Sequence, residues 1–329
     1  MPSRLKTGAL DGIMIGRELL SKSFHYLKHR NNVRSVLVIH DVDDWAIDHV
    51  FSQWFASTNR IRITRANWDR LATTRSFACF DLILFGYYDI YLRFGHDPKK
   101  SAVVIHDPCE LFPEVPDWKF RSPLEGRIEK LKEFKAVIVI SKEMEKILCG
   151  YGVRCFRIPT MSRLNISPSN KSPEFPLKIV SVFKNTKRKN AKLLRKLAKY
   201  GDQNDLWKVR LQTTKLPVHD YISLLESHPV YLCTSWQEGG PLPAMDAISS
   251  GAVLISSRVG QLQEFLVHGE SALFCESEEE FIHSIDMIQN DENLFKKLQE
   301  NSIMAYFQSR NHAEIQVHAE NVLTQIMEC

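Results

Sequence analysis

One stretch of the sequence combines two carboxylates with a glycine-rich turn directly after an apolar run. It begins at Ser235, reads SWQEGGPLPAMDAISSG up to Gly251, and places Glu238 and Asp246 eight positions apart. Adjacent glycines let a backbone approach a ligand closely, and a proline suits the first turn of a helix. Free N–H groups at such a helix start can bind polar ligand groups. The stretch therefore predicts a ligand-binding turn between a strand and a helix.

Basic residues follow an earlier apolar run, 178–183. The segment KNTKRKN places Lys184 and Lys189 five positions apart, with Arg188 next to the second lysine. Such cations can stabilise the negative charge that develops on a leaving phosphate group. The segment is a candidate anion-binding site in which Arg188 could replace one of the lysines, and a solvated basic helix start is the alternative.

Polar residues also follow apolar runs in the first half of the chain. His106 ends the run 102–105, where it faces a ligand if the strand belongs to a parallel sheet, although a buried structural histidine is as common. Asp43, Asp44 and Trp45 follow the first run. We expect them to orient a substrate hydroxyl, with a helix cap as the alternative. A metal-binding DxD interpretation of Asp41 and Asp43 is disfavoured, because so short a pattern recurs by chance.

Apolar, β-branched runs alternate with helical patterns throughout, as in parallel sheets. The alternation stops between Pro159 and Pro176, where Ser, Asn, Pro and Lys dominate, and then resumes. We predict an α/β protein with two doubly wound parallel sheets that face each other across a cleft. The predicted strands are 35–40, 81–85, 102–105, 136–140 and 154–158, then 178–183, 207–212, 230–234, 252–256 and 272–274.

The glycine-rich stretch resembles the donor-binding signature of family 4 glycosyltransferases, which have the GT-B fold. The matching residues are Glu238, Gly239, Gly240, Leu242, Pro243 and Asp246. The resemblance continues through 251–264 and 268–274, and it is looser over 81–158. It implies two Rossmann-like domains: an acceptor-binding domain over 1–160 and, after a linker at 161–176, a nucleotide-sugar-binding domain over 177–310. We expect 311–329 to form a helix that packs back on the first domain.

The resemblance also implies roles for single residues. Glu238 would orient the hydroxyls of the donor sugar, the two lysines would bind the diphosphate, and Asp246 would reach the ribose. The implied catalytic residues are His106, Lys189 and Glu238; the donor-binding residues are Lys184, Gly239, Gly240, Leu242, Asp246 and Glu264; and the acceptor-binding residues are Asp43, Asp44 and Trp45. The family implies no metal and no cofactor. The sequence departs from the family by Asp246 in place of Glu and by the lack of a Gly-Gly turn after the first strand.

Composition limits the partners. The 329 residues carry a net charge of +4, too little to indicate a nucleic-acid-binding protein. The charge is uneven, with +7 over residues 1–165 and −3 over the rest. The positive charge of the first half would favour binding to an anionic membrane surface or to an anionic acceptor, and a solvated surface is an equal alternative. Without a membrane-spanning run or a signal peptide in the sequence, we expect a cytoplasmic protein, peripheral on the membrane through the basic stretch 17–34.

Together these features predict a glycosyltransferase of hexosyltransferase type. It would transfer a sugar from a UDP- or GDP-sugar to a glycan or a lipid-linked saccharide, with retention of configuration. Two alternatives stay open on the same fold. One is a catalytically degenerate subunit that binds a partner, and the other is a nucleotide-sugar 2-epimerase.

Overall fold

A computed structural model describes residues 33–43, 46–71, 74–164 and 167–328, which form two parallel sheets. The first sheet has the strand order β2-β1-β3-β4-β5-β6. Every pairing within it is parallel. Its strands are β1 (Arg34–His40), β2 (Ile61–Asn67), β3 (Leu82–Phe85), β4 (Ser101–Ile105), β5 (Ala136–Val139) and β6 (Cys155–Arg157).

The second sheet is also parallel, with the order β11-β10-β9-β7-β8. Its strands are β7 (Leu177–Val182), β8 (Trp207–Gln212), β9 (Val230–Cys233), β10 (Val253–Ser256) and β11 (Leu273–Phe274). In both sheets two strands that are not consecutive lie side by side, β1 with β3 and β7 with β9. The chain reverses its direction of winding at these two points, and open α/β sheets bind ligands there.

Helices cover the faces of both sheets. The α-helices are α1 (Ala46–Trp54), α2 (Tyr88–Phe94), α3 (Arg127–Lys132), α4 (Lys142–Gly150), α5 (Ala191–Gln203), α6 (Val218–Glu226), α7 (Leu242–Ser249), α8 (Leu262–Phe265), α9 (Glu278–Asn290), α10 (Glu292–Ser309) and α11 (His312–Glu328). The Ser141 hydroxyl accepts a hydrogen bond from the Met144 N–H and so caps α4, and Ser277 caps α9 in the same way.

The alternation of side chains along each strand divides the core into layers. In β1, Val36 and Val38 pack on one side of the first sheet, whereas Leu37 and Ile39 pack on the other. The last helix, α11, packs against the first sheet and not the second: Ile315 and Leu323 share a core with Val36. The C-terminal end of the chain therefore returns to the first domain.

The predicted α/β class with two parallel sheets is confirmed, and one strand was missed. Strand β2, with the sequence IRITRAN, lies at the edge of the first sheet and is half exposed along most of its length. Because an edge strand packs on fewer neighbours, its sequence keeps polar and charged residues and lacks the apolar run of a central strand.

Part of the predicted N-terminal basic stretch, 17–32, lies outside the described residues. Within the described ranges, no helix is both long and apolar enough to cross a membrane.

The packing of Gly201 gives a test of the second domain. A methyl group on Gly201 in α5 would overlap the ring of Trp207, which is fully buried. We expect Gly201→Ala to lower the free energy of unfolding by ~1–3 kcal/mol, because overpacking outweighs the helix propensity of alanine. Chemical denaturation measures the change.

Gly150 is the matched control, since it also lies in a helix and has nothing near the position of an added methyl group. Gly150→Ala should be neutral or stabilising by up to ~1 kcal/mol. Equal effects of the two substitutions would contradict the packing around Trp207.

Candidate active site

A cleft of ≈ 860 Å³ lies between the carboxyl ends of the two sheets. Its lining includes Asp41 after β1, His106 after β4, Lys184 after β7 and Glu238 after β9. The cleft thus joins the two points at which the winding of the sheets reverses. Its volume lies within the ~300–1,000 Å³ of ordinary small-molecule sites.

The carboxylate of Glu238 is the centre of a buried ion cluster at this cleft. Its side chain is 4% exposed. One oxygen accepts a hydrogen bond from the Arg188 guanidinium at 2.7 Å, and the other contacts the Lys189 ammonium group. Burial alone would raise the pKa of Glu238, but Lys189 and Arg188 outweigh burial and lower it below its ordinary value of 4.5. Glu238 is therefore a carboxylate at neutral pH.

Arg188 also reaches the first domain. Its Nη1 atom lies 2.8 Å from Asp107, and its backbone N–H donates to Glu114 at 3.2 Å. Burial raises the pKa of Asp107, although Arg188 opposes this shift. One guanidinium group thus connects carboxylates of both domains, which brings Asp107 close to Glu238.

The two glycines of the turn have different surroundings. Gly239 does not line the cleft, because its Cα lies against the backbone carbonyl of His106 and leaves no room for a side chain. Gly240 does line the cleft, and an added methyl group there would overlap Gln261. The predicted donor-binding role of Gly239 therefore needs correction. Its smallness lets the two domains approach each other.

His106 lines the cleft beside two aromatic side chains. Its ring stacks on Trp54 with the ring centres 6.4 Å apart, and Phe51 meets it edge-on. Burial lowers the pKa of His106 to about 4, opposed by a hydrogen bond to the Gly86 backbone. His106 is therefore neutral at pH 7. Its buried Nε2 atom has no hydrogen-bond partner among the described residues.

Asp246 does not reach the cleft, contrary to the expectation of a ribose contact. Its side chain is fully buried and accepts hydrogen bonds from the Arg163 guanidinium at 2.6 and 2.9 Å, from Ser162 at 2.9 Å and from Tyr221 at 2.9 Å. These partners saturate both carboxylate oxygens. Arg163 and Tyr221 line the cleft instead. Asp246, which lies outside the cleft, holds these two side chains in position through its hydrogen bonds.

Glu264 also lies outside the cleft. Its carboxylate accepts a hydrogen bond from the Lys142 N–H at 2.6 Å, at the N-terminus of α4, and lies 3.6 Å from Arg157. Both partners belong to the first domain. The structure therefore places Glu264 in the contact between the domains, where a carboxylate is favourable because it meets the positive end of a helix.

Of the predicted acceptor-binding residues, Asp44 and Trp45 lie outside the described residues. Asp43 is described but does not line the cleft: it accepts a hydrogen bond from Asn67 at 3.3 Å and lies 3.8 Å from the buried His40. Asp41, two residues earlier in the same loop, lines the cleft where Asp43 was expected.

The structure thus brings six of the predicted residues together at the cleft. They are His106, Lys184, Lys189, Glu238, Gly240 and Leu242. Sequence reasoning missed Asp107 and Arg163. Asp107 directly follows His106 and could have been noticed, whereas Arg163 lies in the predicted linker and carried no signal. In the described ranges, no group of three or more His, Cys, Asp and Glu side chains could hold a metal ion.

A family comparison matches part of the second domain. Residues 211–304 match the family model of glycosyl transferases group 1, a range that contains Glu238 and the glycine-rich turn. This part of the chain is therefore similar to the glycosyl transferases group 1 family. The match agrees with the predicted class, a glycosyltransferase. No curated protein sequence matches the chain.

Solved structures share the fold. Sucrose-phosphate synthase from Thermosynechococcus elongatus has a TM-score of 0.65 at 16% identity, over 90% of this chain and 99% of that chain. Anabaena HepE in complex with UDP and glucose has a TM-score of 0.64 at 13% identity, over 89% and 100%. A mutant of S. aureus TarM, in complex with Fondaparinux, alpha-GlcNAc-glycerol and UDP, has a TM-score of 0.62 at 13% identity and covers 75% of this chain. The chain spans 55% of the TarM structure.

The charge of Glu238 gives a prediction about pH. A carboxyl group with a lowered pKa in the folded state stabilises the fold above its unfolded pKa, and this stabilisation is lost as the pH falls. At about pH 6 we expect Glu238→Gln to lower the free energy of unfolding by ~1–3 kcal/mol, because it leaves Lys189 and Arg188 less well paired. The difference from wild type should shrink as the pH falls below 4.5, and denaturant titrations over this range measure it.

Glu278 provides the control. It pairs with Lys196 at 2.6 Å on the surface, where an ion pair contributes little. Glu278→Gln should have a small effect at every pH. A Glu238→Gln difference that stays constant on acidification would contradict the lowered pKa.

The burial of Asp246 leads to a second prediction. Asp246→Ala should lower the free energy of unfolding by ~3–5 kcal/mol, because it leaves Arg163 partly buried without its partner. Asp202→Ala is the control, since Asp202 pairs with Lys208 at 3.3 Å on the surface and should cost at most ~1 kcal/mol. A normal melting curve for Asp246→Ala would contradict a stabilising role of the hydrogen bonds that Asp246 accepts.

Proposed function

We propose that this chain transfers a hexose from a UDP-hexose to a hydroxyl group of a saccharide, free or lipid-linked, with retention of configuration. The observation that carries the proposal is the convergence of Lys189 and Arg188 on Glu238 inside the cleft. The two cations, which follow β7, can bind a diphosphate. The carboxylate, which follows β9, can accept hydrogen bonds from sugar hydroxyls.

The choice of uridine draws on the structural neighbours. The TarM and HepE structures hold UDP, and a further HepE structure holds UDP-glucose. The family match covers the turn that would meet the donor, residues 238–243. A UDP-hexose is therefore the donor that we propose for this cleft.

Donor binding would exchange the partners of the ion cluster. A diphosphate can replace Glu238 as the anion that Lys189 and Arg188 contact, because both cations already lie at the cleft. Lys184, at the end of β7, adds a third positive charge to the same wall. Glu238 would then accept hydrogen bonds from the hydroxyls of the donor sugar.

The chemical step that we propose needs no covalent enzyme intermediate. The acceptor hydroxyl attacks the anomeric carbon on the face that the leaving UDP occupies, so the configuration is kept. The bond between the anomeric carbon and the phosphate oxygen breaks, and the acceptor proton passes to the leaving phosphate. Lys189 and Arg188 stabilise the charge that grows on this phosphate.

An assay with radiolabelled donors tests the proposal against its alternatives. The chain is incubated with UDP-glucose, UDP-N-acetylglucosamine or GDP-mannose, with and without saccharides and a lipid extract. Label in a saccharide or lipid product from a UDP-hexose supports the transferase. Epimerised donor would indicate a 2-epimerase. UDP binding in a thermal-shift assay without any product would indicate a subunit that only binds.

Lys189 gives a sharper prediction. It meets a phosphate whose charge grows only as the bond breaks, so Lys189→Ala should mainly lower kcat. Losing one such group costs ~2.7–4 kcal/mol, about a hundred- to a thousandfold in rate. Steady-state kinetics with the best donor measure kcat and KM.

Lys192→Ala is the matched control, because Lys192 is exposed on α5 outside the cleft. Its kinetics should equal those of wild type. A Lys189→Ala enzyme with near-normal kcat and a normal melting curve would remove Lys189 from the reaction.

A further inference from the structure

Arg163 enters the cleft from the linker, and a buried carboxylate fixes its orientation. Its Nε and Nη2 atoms donate to Oδ2 of Asp246 at 2.9 and 2.6 Å, and its backbone N–H donates to Oδ1 at 2.7 Å. The guanidinium carbon also lies 5.0 Å from the centre of the Tyr221 ring. These contacts hold the side chain in one position, so a ligand would not have to order it.

One edge of the Arg163 guanidinium faces away from Asp246. The group is a rigid planar fork, and Nε and Nη2 form the edge that meets the carboxylate, so Nη1 lies on the other side. The side chain is 22% exposed and lines the cleft, where a ligand can reach it. The Asp246 side chain is fully buried and therefore acts on a ligand only through its partners.

The strand order of the second sheet predicts where each part of a nucleotide-sugar would lie. At the carboxyl edge of this sheet, β9 lies beside β7, and β7 lies beside β8. Glu238 follows β9, whereas Lys184 and Lys189 follow β7, so the proposed sites for the sugar and the diphosphate are neighbours in this order. The next position along the edge, after β8, is then left for the nucleoside.

The cleft lining after β8 suits a nucleoside. Residues 213–218 line the cleft there, and Leu216 and Val218 give this part an apolar surface that can cover a base. Tyr221 follows them on α6, and its contact with Arg163 brings the guanidinium to the same end of the cleft. The hydroxyls of a ribose need polar partners, which Arg163 supplies.

We infer that Arg163 binds the ribose of the donor nucleotide by donating a hydrogen bond to a hydroxyl oxygen, and that Asp246 is a positioning residue for Arg163. The inference rests on the proposed transferase and names the residue that recognises its nucleotide. A carboxylate in contact with the ribose would accept a hydrogen bond from the hydroxyl, whereas a guanidinium has no acceptor atom and can only donate. The direction of the hydrogen bond therefore distinguishes Arg163 from the expected contact with Asp246.

Fluorinated nucleotides test this direction, because fluorine on carbon can accept a weak hydrogen bond but cannot donate one. Isothermal titration calorimetry on the full chain compares UDP with its 2′-deoxy and 2′-deoxy-2′-fluoro analogues and with the corresponding 3′ analogues. At the hydroxyl that Arg163 contacts, removal should weaken binding at least about tenfold, since hydrogen bonds to charged groups are strong. Fluorine there should restore binding at least about threefold relative to the deoxy analogue.

Arg163→Lys separates the ribose contact from the fold. A lysine keeps a positive charge beside Asp246 but loses the fork of the guanidinium, so the differences between the nucleotides should fall below about threefold. Arg258→Lys is the matched control, because Arg258 lies 3.8 Å from Glu276 on the surface and does not line the cleft. This control should keep the order of affinities of wild type. If Arg163→Lys does not fold, the comparison in wild type decides by itself.

Several results would overturn the inference. Fluoro analogues that bind no better than the deoxy analogues at both positions would indicate that a carboxylate meets the ribose. Deoxy analogues that both bind like UDP would indicate that Arg163 meets a phosphate instead. The wild-type order in a folded Arg163→Lys, or no binding of UDP at all, would also contradict it.

The radiolabel assay decides the transferase separately. Transfer of a hexose without the expected order of nucleotides would contradict the role of Arg163 alone. The expected order without any transfer product would support the ribose contact and contradict the transferase.

Discussion

The ion pairs of the partly buried Arg188 guanidinium group are the interaction on which the site depends. This group contacts Glu238 of the second domain at 2.7 Å and Asp107 of the first at 2.8 Å. A charge as buried as that of Glu238 is stable only when it is paired and hydrogen-bonded, so the domains must meet in a narrow range of positions for the cluster to form. The same ion pairs that hold the cleft together therefore also place its cations.

Close backbone contact makes that approach possible. Gly239 lies against the His106 carbonyl, where any side chain would separate the domains. On the other side of the contact, Glu264 accepts a hydrogen bond from the first turn of α4, and α11 returns to the first sheet. Several residues that resemble ligand-binding positions in sequence thus act on the domain contact, and they influence a ligand through the shape of the cleft.

The division of charge between the walls suits the reactants of the proposed transferase. Lys184, Arg188 and Lys189 all come from the segment after β7, which suits a diphosphate. Among the described residues, no lysine or arginine of the first domain lines the cleft. A ligand with one anionic and one neutral end therefore has a single favourable orientation in the cleft, with its phosphates toward the second domain.

The sequence by itself determined the fold class, most strands and the placement of Glu238 and Lys189 at strand ends that meet at the cleft. Central parallel strands are apolar on both faces, and a glycine-rich turn before a proline marks a strand-to-helix junction, so both leave local signals. The tertiary structure alone decided what each polar residue contacts. Asp246 and Glu238 lie eight positions apart on the same motif, yet Arg163 from a region without periodicity holds Asp246 in the core, while Arg188 and Lys189 hold Glu238 at the cleft. Such partners are distant in sequence, and only folding brings their charges within bonding distance.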